Sequence, residues 1–207
     1  MARVSGPLMS VDASGKFGGV MVLSKWKGRN YARKLVTPKN PKTAKQTGVR
    51  AMMAFITSRW FYCTAPNQAS WSAAALLRMI SAFNEYVSTN MARWQINKPP
   101  TKASPAIETT NAITTTQVLT PGAGFATIGL TPSAAGDNWG FAIYRDTAEI
   151  SAPSWANCIT VIPANGAAAV SYTDAPLTAA TYHYRSGVFN TDGKLGTVCA
   201  DATAVVT

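Results

Sequence analysis

Positive charge in this 207-residue sequence is concentrated in the first half, and this asymmetry is the strongest limit on its architecture. Residues 1–105 hold 16 Lys or Arg against two acids, a net charge of +14. Residues 106–207 hold three bases against seven acids, a net charge of −4. Because a globular surface ordinarily mixes both signs, two regions with such different electrostatics indicate two domains.

The acid-free part of the first half points to the kind of partner. Between residues 13 and 84 there are twelve Lys or Arg and no Asp or Glu. A positive field attracts polyanions or an acidic protein surface, whereas a surface that only maintains solubility carries charges of both signs. We therefore expect a polyanionic or acidic partner for the first domain.

Local patterns predict a β-hairpin followed by helices in the first domain. Residues rich in β-formers flank Lys27-Gly28, and glycine supplies the positive φ of a tight turn, so 18–36 is predicted to be a basic hairpin. Thr43 and Gln46 fit a helix-capping box, and Gly48 should weaken the first turns that follow. The apolar stripe of this helix is predicted to be Val49, Met52, Met53, Ile56 and Trp60.

A second helical region is predicted at 67–94, with a possible break near 78–81. Its stripe at three- and four-residue steps is Leu76, Ile80, Phe83, Val87, Asn90 and Trp94. Because they fall on such stripes, Trp60, Trp71 and Trp94 are expected in the core and not in a ligand cage.

A proline-containing stretch at 95–107 has the composition of a semi-rigid linker. The predicted division is therefore 1–94, 95–107 and 108–207. Beyond the linker, Thr, Ala, Val and Gly with regularly spaced turn signals predict an all-β sandwich, which makes the predicted fold class α+β. The expected strands are 113–119, 124–130, 138–145, 157–162, 167–173, 180–189 and 196–206.

The sequence offers little for catalysis. Its one histidine, His183, lies between two tyrosines on a predicted strand and is expected to be a surface or packing residue. The acids lie mostly in predicted turns, and the 14–19 stretch has Phe17 where a phosphate loop needs Ser or Thr. We expect no enzyme activity, no cofactor and no metal.

Cellular location is constrained by the cysteines and by the start of the chain. Cys63, Cys158 and Cys199 are too scattered for a disulfide framework and indicate synthesis in a reducing cytoplasm. No signal peptide and no membrane span is expected.

The candidate binding site is the basic hairpin with the chain that follows it. Along a strand, Arg29, Tyr31 and Arg33 point to one face, so guanidinium and aromatic groups can share a contact surface. Such a surface suits nucleic acid, through phosphate neutralisation and base stacking, and it also suits an acidic protein groove. The predicted partner-binding residues are Lys25, Trp26, Lys27, Arg29, Tyr31, Arg33, Lys34, Lys39, Lys42 and Lys45.

The second half resembles fibronectin type III domains over about 95 residues. The resemblance is carried by WGFAIYR at 139–145, VSYTDAPL at 170–177, TYHYR at 181–185 and NTDG at 190–193. It implies a β-sandwich in which 170–177 closes the strand before the Tyr-x-Tyr strand. The tryptophan usual in the first sheet of the family is missing, with Phe125 or Leu130 expected in its place, so a general Ig-like topology stays open.

The first half resembles a module of bacteriophage and prophage structural proteins over roughly residues 15–90. The matching residues are WKGRNYAR at 26–33, PKNPKT at 38–43, Gln46 and Arg50, with Trp60, Trp71 and Phe83-Asn84 downstream. The resemblance implies a virion component made in the host cytoplasm, such as a capsid decoration or head–tail accessory protein. Other virion proteins, and further copies of the chain, are the partners it implies.

Two other functions are weighed beside this one. A nucleic-acid-binding protein, packaged with the genome, would use Lys and Arg of 16–50 on phosphates, and its binding would weaken steeply with salt. A carbohydrate-binding adhesin would need exposed aromatic residues on the sandwich, where Trp139 and Trp155 are the tryptophans and Trp139 is expected to be buried.

Overall fold

The computed structural model of this protein describes residues 3–4, 13–37 and 43–207. It contains both helices and antiparallel sheets, as the predicted α+β class requires. Contacts within the chain define two units, Met1–Pro41 and Lys42–Thr207.

The first unit is a four-stranded antiparallel sheet in the order β1-β2-β3-β4. Its strands are Arg3–Val4, Ala13–Phe17, Met21–Trp26 and Arg29–Lys34. Strands β3 and β4 form the predicted hairpin, and Lys27 (φ 47°) and Gly28 (φ 80°) make its two-residue turn. Two positive φ values in succession are the geometry of a type I′ turn, which matches the twist of the paired strands. Strands β1 and β2 were not predicted.

Three helices begin the second unit: α1, Ala44–Trp60; α2, Ala65–Leu76; and α3, Ala82–Gln95. The predicted cap of α1 is present, because the Thr43 hydroxyl accepts a hydrogen bond from the Gln46 backbone N–H at 3.4 Å. The predicted break in the second helical region is present between α2 and α3. The α1 stripe was partly wrong: Met53 is 43% exposed, and Phe55 is buried beside Met52 and Ile56. In the second stripe, Leu76 and Ile80 are exposed, whereas Asn90 and Trp94 are buried.

Seven strands follow and overlap the seven predicted ones, although the last begins at residue 202 and not at 196 as predicted. They are β5 Thr115–Gly122, β6 Phe125–Pro132, β7 Asn138–Asp146, β8 Cys158–Pro163, β9 Val170–Asp174, β10 Ala180–Asn190 and β11 Ala202–Val206. They form two antiparallel sheets, β5-β6-β9 and β11-β10-β7-β8. Both sheets contribute to one core, in which Leu130 is buried, while Phe125 is 38% exposed.

The sheet β11-β10-β7-β8 faces the shared core on one side, and the helices cover its other side. Phe141 and Ile143 of β7 face the core shared by the two sheets, whereas Ala142 and Tyr144 belong to a cluster with Phe55 of α1. Trp139 joins the helix side at a point where the register between β7 and β10 shifts. Its ring meets that of Phe55 edge-on at 5.4 Å. Strand β7 is therefore buried on both faces, and Trp139 is buried as expected.

Gly48 lets α1 lie directly against β8. A Cβ at this position would stand 2.3 Å from the backbone oxygen of Cys158 and 3.2 Å from that of Trp155. Real Cβ atoms do not approach a carbonyl oxygen so closely, so a side chain at 48 would force the helix away from the sheet. The glycine that the sequence suggests as a weak point is thus a packing requirement.

Residues 95–107, predicted as a linker, are held by the helices and by the β10–β11 connection. The side chain of Asn90 forms hydrogen bonds with both backbone groups of Thr101. Its amide nitrogen donates to the Thr101 carbonyl oxygen at 3.0 Å, and its amide oxygen accepts from the Thr101 N–H at 2.7 Å. The Trp71 indole donates to the Lys102 oxygen at 2.8 Å, and the Lys102 N–H donates to Thr191 at 2.8 Å. Contacts within the chain divide it at Pro41/Lys42.

Gly48→Ala should destabilise the protein by about 1–3 kcal/mol, since the added methyl has no space against the Cys158 backbone. Helix propensity alone gives the opposite sign, a gain of about 1 kcal/mol. Denaturant unfolding of the Lys42–Thr207 unit measures the difference. Gly129→Ala is the control, because a Cβ there meets only ordinary contacts at 3.7 Å. A more stable Gly48→Ala variant would contradict the packing argument.

Asn90→Ala should destabilise the protein by about 1–3 kcal/mol for each Thr101 backbone group left buried and unpaired. Asn84→Ala makes the same change at an exposed position of the same helix and should have a small effect. Thermal and denaturant unfolding of both variants provide the comparison. Equal stability of the two variants would mean that the Asn90–Thr101 contact contributes nothing.

Candidate interaction surface

The pairing register of the first unit sorts its basic side chains onto two faces. Directly paired residues of an antiparallel sheet point to the same side, and neighbours along a strand alternate. Trp26 pairs with Arg29, Ser24 with Tyr31, Val22 with Arg33, and Lys16 with Val22. We call the face formed by Lys16, Val22, Ser24, Trp26, Arg29, Tyr31 and Arg33 the arginine face. The opposite face, called the lysine face, includes Met21, Leu23, Lys25, Asn30, Ala32 and Lys34.

The side chains of both faces of this sheet are open to solvent among the residues that the structure describes. Of residues 15–37, leaving aside Phe17, every side chain is exposed or half-buried. On the arginine face, Trp26 is 67% exposed and Tyr31 is 42% exposed. Trp26, Arg29, Asn30 and Tyr31 line a shallow, open depression. Large aromatic side chains are therefore presented to solvent between arginines.

Charge on this sheet is of one sign throughout residues 13–37. The six bases there are Lys16, Lys25, Lys27, Arg29, Arg33 and Lys34, and the range contains no Asp or Glu. The Lys27 ammonium lies 4.8 Å from the centre of the Trp26 ring, a cation–π distance. Charges closer together than the Debye length of about 8–10 Å act jointly on an incoming ligand, so the sheet favours an anionic partner.

The structure unites some of the predicted binding residues and separates others. Trp26, Arg29, Tyr31 and Arg33 share the arginine face, Lys25 and Lys34 lie on the lysine face, and Lys27 is in the turn. Lys39 and Lys42 lie outside the described residues. Lys16 is absent from the predicted binding residues, because only the pairing of β2 with β3 brings it to the arginine face.

Lys45 belongs to α1 in the second unit and not to the sheet. Its ammonium lies 5.9 Å from the centre of the Trp155 ring. Lys45, Gln46, Val49, Arg50 and Trp155 together line a shallow groove beside the start of α1. Lys45 is thus part of a basic surface of the second unit.

Several groups suited to acid–base chemistry make contacts within the fold. The His183 Nδ1 lies 2.6 Å from a carboxylate oxygen of Asp201. Asp174 accepts hydrogen bonds from Arg145 at 2.6 Å and from the Tyr184 hydroxyl at 2.9 Å. Among the residues that the structure describes, no group of three or more His, Cys, Asp or Glu could hold a metal ion.

The two buried cysteines are poor nucleophiles. Burial raises the pKa of Cys158 to about 12, and it also raises the pKa of Cys63. Since the thiolate is the reactive form, both groups stay protonated and inert near neutral pH. No helix in the described part of the chain is both long and apolar enough to cross a membrane.

Comparison with protein-family models and with curated proteins found no match to this chain.

In the native protein, Cys63 and Cys158 should resist a thiol reagent at mildly alkaline pH, because their raised pKa values keep the thiolate fraction low. After unfolding in guanidinium chloride, all three cysteines should react. Peptide mass spectrometry after timed labelling measures each site, with the half-exposed Cys199 as the internal comparison. Rapid native labelling of Cys158 would instead reveal a reactive site.

Proposed function

We propose that the protein is a non-enzymatic structural component of a tailed-phage virion, a capsid decoration or head–tail accessory protein. Its basic sheet docks onto an acidic surface of another virion protein. The Lys42–Thr207 unit is displayed and carries a fibronectin type III or Ig-like domain. Several copies are arranged symmetrically in the particle.

The observation that carries the docking step is the uncovered basic sheet. Sheets are stable when a hydrophobic face is packed against other elements, and strands with both faces in water are marginal. Residues 15–37 have no buried side chain among those described, and 13–37 carry six bases and no acid. A partner surface with carboxylates would cover a face and neutralise the repulsion in one step.

The arrangement of the strands supports the fibronectin-like assignment. A three-stranded sheet β5-β6-β9 and a four-stranded sheet β11-β10-β7-β8 share a core, an arrangement typical of this family. The Tyr182 hydroxyl, near the start of β10, donates to the backbone oxygen of Thr178 at 3.1 Å. This bond resembles the tyrosine corner of Ig-like sandwiches, in which a tyrosine bonds back a few residues upstream.

The virion context rests on the motif resemblance of the first half, in particular WKGRNYAR at 26–33 and PKNPKT at 38–43. A displayed domain needs no active site, and the engaged contacts of His183 and Asp174 agree with such a role. The contrast between a net charge of +14 before residue 106 and −4 after it suits an anchor joined to a displayed domain.

The docking proposal is tested with two variants that each lose two positive charges from β3 and β4. Arg29→Gln/Arg33→Gln changes the arginine face, and Lys25→Gln/Lys34→Gln changes the lysine face. Because the net charge is equal in the two variants, a difference between them reports the face and not the overall field. The arginine-face variant should lose most of its incorporation into purified particles, while the control retains it.

Incorporation is measured by quantitative mass spectrometry of purified particles, with electron microscopy to locate the chain. Absence of the wild-type chain from particles, despite its abundance in the producing cells, would overturn the virion assignment. If the arginine-face variant were incorporated at the level of the wild type, the arginine face would not be the docking surface.

Nucleic-acid binding is the second candidate, and the exposed rings of Trp26 and Tyr31 beside Arg29 and Arg33 favour it. Each ring can stack on a base while the guanidinium groups neutralise phosphates. Fluorescence anisotropy with labelled duplex and single-stranded DNA decides between the two. Binding that falls steeply between about 50 and 200 mM salt, and that the arginine-face variant loses, would replace the protein-docking proposal.

A further inference from the structure

The outer face of α2 is exposed and carries no charge. Ala65, Ala69, Ser72, Ala73 and Leu76 recur at helical spacing, and all five are exposed. Residues 60–77 contain no Asp, Glu, Lys or Arg over 18 positions, although the whole chain carries a net charge of +10. Charged residues make up about 25–35% of an ordinary soluble surface, so this face differs from a surface adapted only to water.

Large apolar side chains stand at both ends of this face. Phe61 (83% exposed) and Tyr62 (69%) precede the helix. Leu76 (79%), Leu77 (90%) and Met79 (96%) follow at its end. Large exposed apolar side chains at both ends of an uncharged helix face indicate a surface that another molecule covers. The α2 face is defined here as residues 61, 62, 65, 69, 72, 73, 76, 77 and 79.

The order of side chains along the α2 face fits a second copy of the same chain. Small residues occupy the middle, at Ala69, Ser72 and Ala73, where two helices could approach to about 8–10 Å between their axes. The aromatic end and the aliphatic end are separated by the length of α2. In a two-fold antiparallel pair, the aromatic end of one copy therefore meets the aliphatic end of the other.

Charge also favours a second copy at this face. Two copies with a net charge of +10 repel each other, and an uncharged face lets them approach at the lowest Coulomb cost. The nearby Arg78 is compensated, because its guanidinium lies 2.8 Å from a carboxylate oxygen of Glu85. Arg59 at the other end is stacked over the Tyr62 ring at 5.3 Å. An acidic or basic partner would find no complementary charge on the face itself.

We propose that the α2 face is a homodimer interface, in which two α2 helices cross antiparallel about a two-fold axis near Ala69 and Ala73. The pair buries the apolar ends of both helices. This interface is independent of the virion assignment, since it is defined by residues of 61–79 alone.

The first test is the oligomeric state of the full chain and of one charged variant. By sedimentation velocity at micromolar concentration, the wild type should be dimeric. Ala69→Glu places a charge at the centre of the interface, without a partner, and should weaken the dimer by about tenfold or more. The matched control is Ala54→Glu, the same change at an exposed position of α1, which should stay dimeric. Circular dichroism checks that each variant is folded.

A second test depends on the antiparallel direction. In that arrangement position 69 of one copy faces position 73 of the other, so mixing Ala69→Glu with Ala73→Lys should restore association through a new ion pair. Each variant alone should remain monomeric. A monomeric wild type, a dimeric Ala69→Glu variant, or a mixture that fails to associate would each overturn the proposed interface.

Discussion

The close contact between α1 and the sheet β11-β10-β7-β8 is the constraint on which the arrangement of the second unit depends. Gly48 brings the helix to the backbone of Cys158, and Phe55 fills the space between Trp139 and Phe189, with ring distances of 5.4 and 5.5 Å. A Cβ on Gly140 would lie 2.9 Å from the Phe55 ring, so the strand is also shaped for the helix. Because this contact covers the second side of β7, the helices and the sheets form one unit with two cores.

Local signals in the sequence were sufficient for most elements. The seven strands of the second unit, the turn at Lys27-Gly28 and the cap at Thr43 each depend on residues close together in the chain. All of them are present in the structure, with the last strand shorter than predicted. The association of α1 with β8 was beyond such signals, because Gly48 and Cys158 are far apart in sequence. A glycine in a helix indicates low propensity, and only the facing backbone shows that it is required.

Composition describes only part of the environment of the stretch at 95–107. Prolines and lysines indicate an extended segment, and the segment is held by Asn90, Trp71 and Arg93. These side chains bond to backbone groups of Pro99, Thr101 and Lys102, and a backbone acceptor has no signature in the sequence. Asn90 was assigned to an apolar helical stripe, where it is indeed buried, but its hydrogen bonds could not be inferred from that position. The candidate site was only partly predictable for a similar reason, since strand β2 and with it Lys16 were not foreseen.

The two proposed surfaces act over different ranges, and together they give a reason for the uneven charge. The basic sheet attracts an anionic partner from about a Debye length away, whereas the uncharged α2 face acts only at contact. Pairing through α2 would join two basic sheets in one molecule, so that the second docking event becomes intramolecular. Linked sites of this kind can exceed the affinity of one site by about 10²–10⁴ when the geometry allows both to bind. A sheet that is weak by itself could then hold the protein firmly on a surface that repeats the same acidic site, as a symmetric particle does.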